Sequence, residues 1–85
     1  MDKKKIIELR GRAQSMKATV HIGKEGMTEK VVEEIGKQLK KSKIVKIKLH
    51  LSWEVDRKDA AKMLAEATKS TLVEVRGFTV VLAVD

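Results

Sequence analysis

The chain contains no cysteine, no proline, no tyrosine and no asparagine. Lack of cysteine excludes a disulfide staple, a thiolate nucleophile and a cysteine-based metal site. Lack of proline means that no rigid break interrupts a helix or strand and no proline-rich linker divides the chain. Aromatic residues make up only 2% of the sequence, one Trp and one Phe, so the core must be built from Ile, Val, Leu, Met and Ala. No apolar run approaches the roughly 20 residues of a membrane-spanning helix, and no signal-peptide pattern opens the chain. These absences predict a cytoplasmic protein with no membrane partner.

What is present is charge and aliphatic mass. Of 85 residues, 42% are hydrophobic and 36% charged. That supports one modest core and leaves too little for a second, so a single domain over residues 1–85 is expected. The net charge is +7, with a pI near 9.8. Charge of that sign and size points to a polyanionic partner, most simply nucleic acid. Charge alone is equally compatible with a merely soluble basic protein.

Periodicity assigns the elements. In residues 2–16, Ile6, Leu9, Ala13 and Met16 share one helix face, with Asp2 as N-cap. Lys3, Lys4, Lys5, Arg10 and Arg12 make this helix basic, and its modest apolar face predicts docking on the domain. Gly11 costs about 1 kcal/mol relative to Ala in a helix, which predicts close packing there. Residues 18–22 read as a strand, Val20 and Ile22 facing one way and Thr19 and His21 the other. Thr28 caps a second helix with Val31, Ile35 and Leu39 inward and Lys37, Lys40 and Lys41 at its end. Residues 44–51 alternate most clearly, with Val45, Ile47, Leu49 and Leu51 against Lys46, Lys48 and His50. Asp56 caps a third helix whose inner face is read as Ala60, Met63, Leu64 and Ala67, ending near Ser70 without a glycine stop. Residues 72–76 and 78–84 form a hairpin about Gly77, with Val73 and Val75 on one side of the first strand. Phe78, Val80, Leu82 and Val84 share one side of the second.

The order α-β-α-β-α-β-β predicts an α/β fold with a four-stranded mixed sheet and helices mainly on one face. Its crossovers predict parallel neighbours and its last pair an antiparallel hairpin. The other face would stay open and collect Thr19, His21, Lys46, Lys48, His50, Arg76 and Thr79, with Glu74 as the acidic exception.

The stretch richest in chemistry is His21-Ile22-Gly23-Lys24-Glu25-Gly26-Met27-Thr28. A Gly-x-x-Gly loop between a strand and a helix N-terminus lets another chain approach closely. It also points free N–H groups and the positive dipole end at one spot, where Lys24 adds a full charge. The same residues also make a plain strand-to-helix turn, and Glu25 opposes an anion. The loop lacks the Gly-Lys-Ser/Thr of a nucleotide-binding P-loop. His21 and His50 share a face but have no metal-site spacing and no recognisable nucleophile, so they read as solvated strand residues available to a nucleic acid. Trp53 is suited either to stacking on a base or to covering the core edge, and core cover or a loop anchor is the preferred reading. Lys37, Lys40, Lys41 and Lys43 read as a solvated helix end. No catalytic residue set, metal, cofactor or small-molecule substrate is implied.

Leu9-Arg10-Gly11-Arg12-Ala13, Val20 to Thr28, Ile44-Val45-Lys46-Ile47-Lys48 and Val73-Glu74-Val75-Arg76-Gly77 together resemble the CRM domain. This is the chloroplast RNA splicing and ribosome maturation family, whose stand-alone members are the YhbY-like proteins. The resemblance covers nearly the whole chain, in order. It implies an RNA-binding module with a fold similar to the C-terminal domain of translation initiation factor three. It further implies structured ribosomal RNA or a large-subunit precursor as partner and a task in ribosome assembly, with Gly23, Lys24, Glu25 and Gly26 as an RNA contact. Arg10, Arg12, Lys46 and Lys48 are candidates for further charge contacts. Two other readings of the chain are an Alba-like basic chromatin protein and a protein-interaction module recruiting a partner through a strand edge.

Overall fold

Three helices and four strands alternate in the predicted order: α1 (Lys3–Ala13), β1 (Val20–Ile22), α2 (Glu29–Ser42), β2 (Ile44–Leu49), α3 (Arg57–Thr68), β3 (Thr71–Arg76) and β4 (Thr79–Ala83). The structure is a computed structural model that describes residues 1–23, 26–50 and 56–85. The expected N-caps are all in place. The side chains of Asp2, Thr28 and Asp56 accept hydrogen bonds from the backbone N–H groups of Lys5, Val31 and Lys58, respectively. At the other end, α2 and α3 stop at lysines in the left-handed region, Lys43 at φ 68° and Lys69 at φ 54°. Backbone bonds from Lys43 N–H to Leu39 O, and from Ser70 N–H to Ala65 O, close these ends. This is how α3 terminates without a glycine.

The four strands form one mixed sheet in the order β1-β2-β4-β3. β1 runs parallel to β2, with Val20 opposite Ile47 and Ile22 opposite Leu49. β4 is antiparallel to both β2 and β3. The expectation that each crossover joins neighbours therefore holds for β1 and β2 but not for β2 and β3, because β4 lies between them. The reason is visible in β4 itself: Val80, Val81, Leu82 and Ala83 are all at most 2% exposed. A strand apolar on both faces is satisfied only at the centre of a sheet covered on both sides. β3, with Glu74 and Arg76, takes the edge.

The cover is uneven. α2 and α3 pack on one face, where Ile35, Leu39, Ala61 and Leu64 meet Val20, Ile22, Val45, Ile47, Leu49, Val80 and Leu82. α1 packs on the opposite face, where Leu9 and Ala13 meet Ile44, Val73, Val81 and Ala83, with Ile6 and Met16 at the margin. Two helices lie on one face, as expected, but the other face is only partly open. The accessible lysine expected at Lys46 is corrected accordingly. Lys46 is half-buried, and its Nζ donates to the carbonyl oxygens of Ala13 and Met16, each at 3.0 Å. An ammonium there meets carbonyls at and just past the end of α1, on the side of its negative dipole end. Lys48 and His50 are exposed, as expected.

Three smaller expectations also change. Val73 and Val75 do not share a side: a register shift between Leu72 and Glu74 leaves Val73 as an extra residue facing α1, while Leu72 and Val75 pack with the α2/α3 core. The inner face of α3 is Ala61, Leu64 and Ala65, while Met63 is 54% exposed and Ala67 is exposed too. Ala60/Ala61 and Met63/Leu64 fit either of two helix phases. The observed phase places Thr68 at the core margin, where its hydroxyl satisfies itself by donating to Leu64 O at 2.7 Å. Gly11 is exposed with nothing within 4 Å of where a Cβ would stand, so it packs against nothing described. Leu51 and Trp53, read as strand end and core cover, lie outside the described residues.

The division between the two lysines is testable by urea denaturation. Lys46→Ala removes two charge-assisted bonds and is expected to cost about 1.5 kcal/mol or more. Lys48→Ala should stay within about 0.5 kcal/mol of wild type, as an ordinary surface change does. Equal effects would contradict the anchoring of α1 by Lys46.

Candidate nucleic-acid interface

Sheet register decides which polar residues face solvent together. α1 covers the rows of Ile44 and Lys46, where Ala83, Val81 and Val73 lie beneath it. One row further along β2 the helix is absent. There His21, Lys48, Thr79 and Arg76 stand side by side across the four strands, since His21 is opposite Lys48, Lys48 opposite Thr79 and Thr79 opposite Arg76. His21, Lys48 and Arg76 are exposed and Thr79 is half-buried. The row carries two fixed positive charges and no acid.

His50 extends this patch. Its backbone N–H donates to Ile22 O at 2.7 Å, carrying the β1/β2 ladder one step past the strands. Its ring lies within 18° of parallel to that of His21, with Nδ1 of His21 and Nε2 of His50 3.0 Å apart. In that contact one imidazole donates and the other accepts. The two rings present a flat π surface at the rim of the basic row, beside the point where Gly23 leaves β1.

The glycine loop starts at that rim. Gly26 has φ +73°, the left-handed region that favours glycine, and its N–H donates to Gly23 O at 3.0 Å. Lys24 and Glu25, the charged candidates of this loop, lie outside the described residues. Gly23 is exposed with open space about it. Beyond Gly26, Thr28 caps α2 by taking the Val31 N–H, and the N–H groups of Glu29 and Lys30 have no partner within the helix. One flank of that helix start is unsuited to anions. Met27, Thr28, Glu29, Val32 and Glu33 line a shallow hollow of about 310 Å³ that is acidic and apolar. An anion at the loop is thus favoured on the side of His50 and Lys48.

The remaining candidates sit elsewhere. Arg10 is tied to the β3 edge: its Nη2 donates to Val73 O at 3.4 Å and its Nε stands 4.0 Å from Glu74 Oε1. Arg12 is exposed on the last turn of α1. Lys46 borders a groove of about 440 Å³ beneath the end of α1, lined also by Ala13, Gln14, Glu74, Arg76, Thr79 and Val81. The structure therefore gathers Gly23, Gly26 and Lys48 at one end of the sheet, and holds Arg10 and Lys46 in contacts that dock α1. Arg76 and the half-buried Thr79 complete the patch, together with His21 and His50, whose solvated placement was expected. Strand alternation had already placed all four on one face, and only the stopping point of α1 shows that they are uncovered.

Among the described residues no group of three or more His, Cys, Asp or Glu side chains is placed to hold a metal, and no helix is long and apolar enough to cross a membrane. What the arrangement offers is cations spaced along a flat surface, imidazole faces, and a loop that another backbone is free to approach. Those are the elements of phosphate contact and base stacking.

The family model of the CRS1 / YhbY (CRM) domain matches residues 1–83. The chain is 28% identical over 74 residues to "Probable RNA-binding protein YqeI" of Bacillus subtilis, covering 87% of this chain and 77% of that one. It is 36% identical over 77 residues to "Probable RNA-binding protein MJ0652" of Methanocaldococcus jannaschii, covering 87% of this chain but only 56% of that longer protein. The solution structure of the hypothetical protein SAV1595 from Staphylococcus aureus superposes with a TM-score of 0.85 at 29% identity, over 100% of this chain and 88% of that one.

The loop geometry predicts opposite outcomes for its two glycines in urea denaturation. Gly26→Ala forces a Cβ into a left-handed backbone and should cost about 1–2 kcal/mol. Gly23→Ala meets neither a positive φ nor a neighbour and should be neutral or slightly stabilising. Equal tolerance at both sites would contradict the turn.

Proposed function

Because the chain belongs to the CRS1 / YhbY (CRM) domain family, we propose that it is a non-catalytic RNA-binding protein acting in the cytoplasm on structured ribosomal RNA or a large-subunit precursor during ribosome assembly. The ribosomal part of this reading rests on the association of the stand-alone YhbY-like members with large-subunit precursors. The observation that carries the RNA part is the uncovered row of His21, Lys48, Thr79 and Arg76 beside the glycine loop.

In this reading Lys24 and the N–H groups of the loop and α2 N-terminus hold one stretch of phosphate backbone. Lys48 and Arg76 take phosphates further along the face, and Arg12 adds charge from α1. The imidazoles of His21 and His50 meet an unstacked base. Arg10 and Lys46 contribute to the field but spend their directed bonds on holding α1. A flat, wide patch of this kind suits the shallow surface of folded RNA, where phosphates and 2′-hydroxyls are accessible.

Binding to a structured ribosomal RNA fragment should fall steeply with salt. Each phosphate contact contributes a slope of about −0.7 to −0.9 in log K against log salt, so four contacts give about −3 or steeper. Lys24→Ala, Lys48→Ala and Arg76→Ala should each reduce the slope by about one unit or slightly less. Glu25→Gln should bind at or above wild type, and Gly26→Asp, if folded, should bind most weakly. A flat salt titration would favour a protein-interaction module, and preferential compaction of duplex DNA a chromatin protein.

A further inference from the structure

Within the RNA-binding reading, one side chain on the polar face has the wrong sign. Glu74 lies on β3 opposite Val81, lines the groove beneath the end of α1, and has a side chain only 21% exposed. Its ion-pair partner among the described residues is Arg10, whose Nε stands 4.0 Å away, beyond hydrogen-bond length. The carboxylate thus faces Arg10 of α1 without a hydrogen bond between them, and its acceptor capacity is largely unspent. An ionised carboxylate accepts and never donates. Beside a phosphate it repels. Beside a base it reads an edge that carries N–H donors.

We propose that this groove receives one unpaired guanine of the bound RNA, with Glu74 accepting from N1–H and the N2 amino group of its Watson–Crick edge. Guanine presents two adjacent donors there, matched to the two oxygens of a carboxylate. Cytosine and adenine present one amino group beside an acceptor, and uracil one N–H between two carbonyls. The other walls agree. Lys46 Nζ has three donors and spends two on Ala13 O and Met16 O, leaving the third for a carbonyl such as guanine O6. Arg76 flanks the same groove and can reach O6 or N7, or the attached phosphate. Thr79, half-buried between Lys46 and Arg76, completes the lining. At about 440 Å³ the groove lies within the usual range of small-ligand clefts. Unpaired bases read on their Watson–Crick edges are the usual source of sequence preference in RNA binding. Lys48, one row away, would hold the backbone without reading it.

The test uses fluorescence anisotropy with uridine octamers carrying a central guanosine, inosine or uridine. A good bidentate pair discriminates by about tenfold or more, so the guanosine octamer should bind about ten times more tightly than the uridine octamer. Inosine, which lacks the N2 amino group, should bind several-fold less tightly than guanosine. Glu74→Gln should erase this ranking while binding the uridine octamer as tightly as wild type or more so, since one negative charge is gone. Lys48→Ala should weaken all three octamers alike and keep the ranking. On the unmodified protein, 5′-GMP should shift the amide resonances of Gln14, Thr79 and Val81 more than 5′-UMP does. Equal binding of the three octamers, equal shifts with both nucleotides, or a guanosine preference that survives in a folded Glu74→Gln would overturn the guanine site. If equal binding is nonetheless steep in salt, the RNA-binding reading stands without it. If neither the octamers nor a ribosomal RNA fragment bind, both fall.

Discussion

The rest of the structure depends on β4 being apolar on both faces. Val80 and Leu82 belong to the core under α2 and α3, and Val81 and Ala83 to the core under α1. A strand of that kind cannot lie at an edge or on an open face without exposing half of its aliphatic surface, at about 25 cal/mol for each square ångström left in water. It therefore occupies the sheet interior, displaces β3 to the edge, and requires a cover on the side that β2 leaves polar. α1 is that cover, and it is only 11 residues long. Its shortness leaves the next row of the sheet bare, and the basic patch exists because the covering helix runs out.

Lys46 and Lys48 show what this does to residues that look alike in sequence. They alternate along one strand and project from the same face. One ends beneath the carbonyl end of α1 and the other in water. Nothing local separates them, because the difference is set by where a helix more than thirty residues away in sequence comes to rest. The features that were legible are the local ones. The caps at Asp2, Thr28 and Asp56 follow from side-chain oxygens placed just before apolar periodicity, and β2 follows from its period of two. The bulge at Val73 was not legible, since alternation assumes an unbroken ladder. The phase of α3 was ambiguous because alanines at 60 and 61 fit either choice. The placement of β4 did carry a signal: the unbroken run from Val80 to Val84 breaks the alternation expected of a strand with one wet face.

The placement of the candidate residues was legible to the same extent and for the same reasons. Glycine at position 26 follows from the demand for φ > 0 in a tight strand-to-helix turn, and its φ of +73° meets that demand. Lys48 follows from alternation. Arg10 looked like a free cation because a basic helix face reads as solvated, yet the extra residue of the β3 bulge offers its carbonyl to that guanidinium. Arg76, His21 and His50 drew less attention because each is isolated in sequence. They come together only through strand pairing across the sheet, with β4 between β2 and β3.

The polar face thereby divides into two parts with different physics. The uncovered row next to the loop is open, flat and positive, so it suits affinity that depends on charge and hardly on sequence. The groove under α1 is narrower, polar and mixed in sign, so it suits a directed contact. Thr79 and Arg76 join the two parts, since both stand in the open row and line the groove, while the ammonium of Lys46 ties the groove to α1. Docking of α1 therefore completes the second core and forms the groove in one step, while the open row is complete from β-sheet register alone. A weakening of the α1 contacts would reach the groove first and leave Lys48, Thr79 and Arg76 where they are. The open row is thus what the short helix fails to cover, and the groove is what it builds at its end.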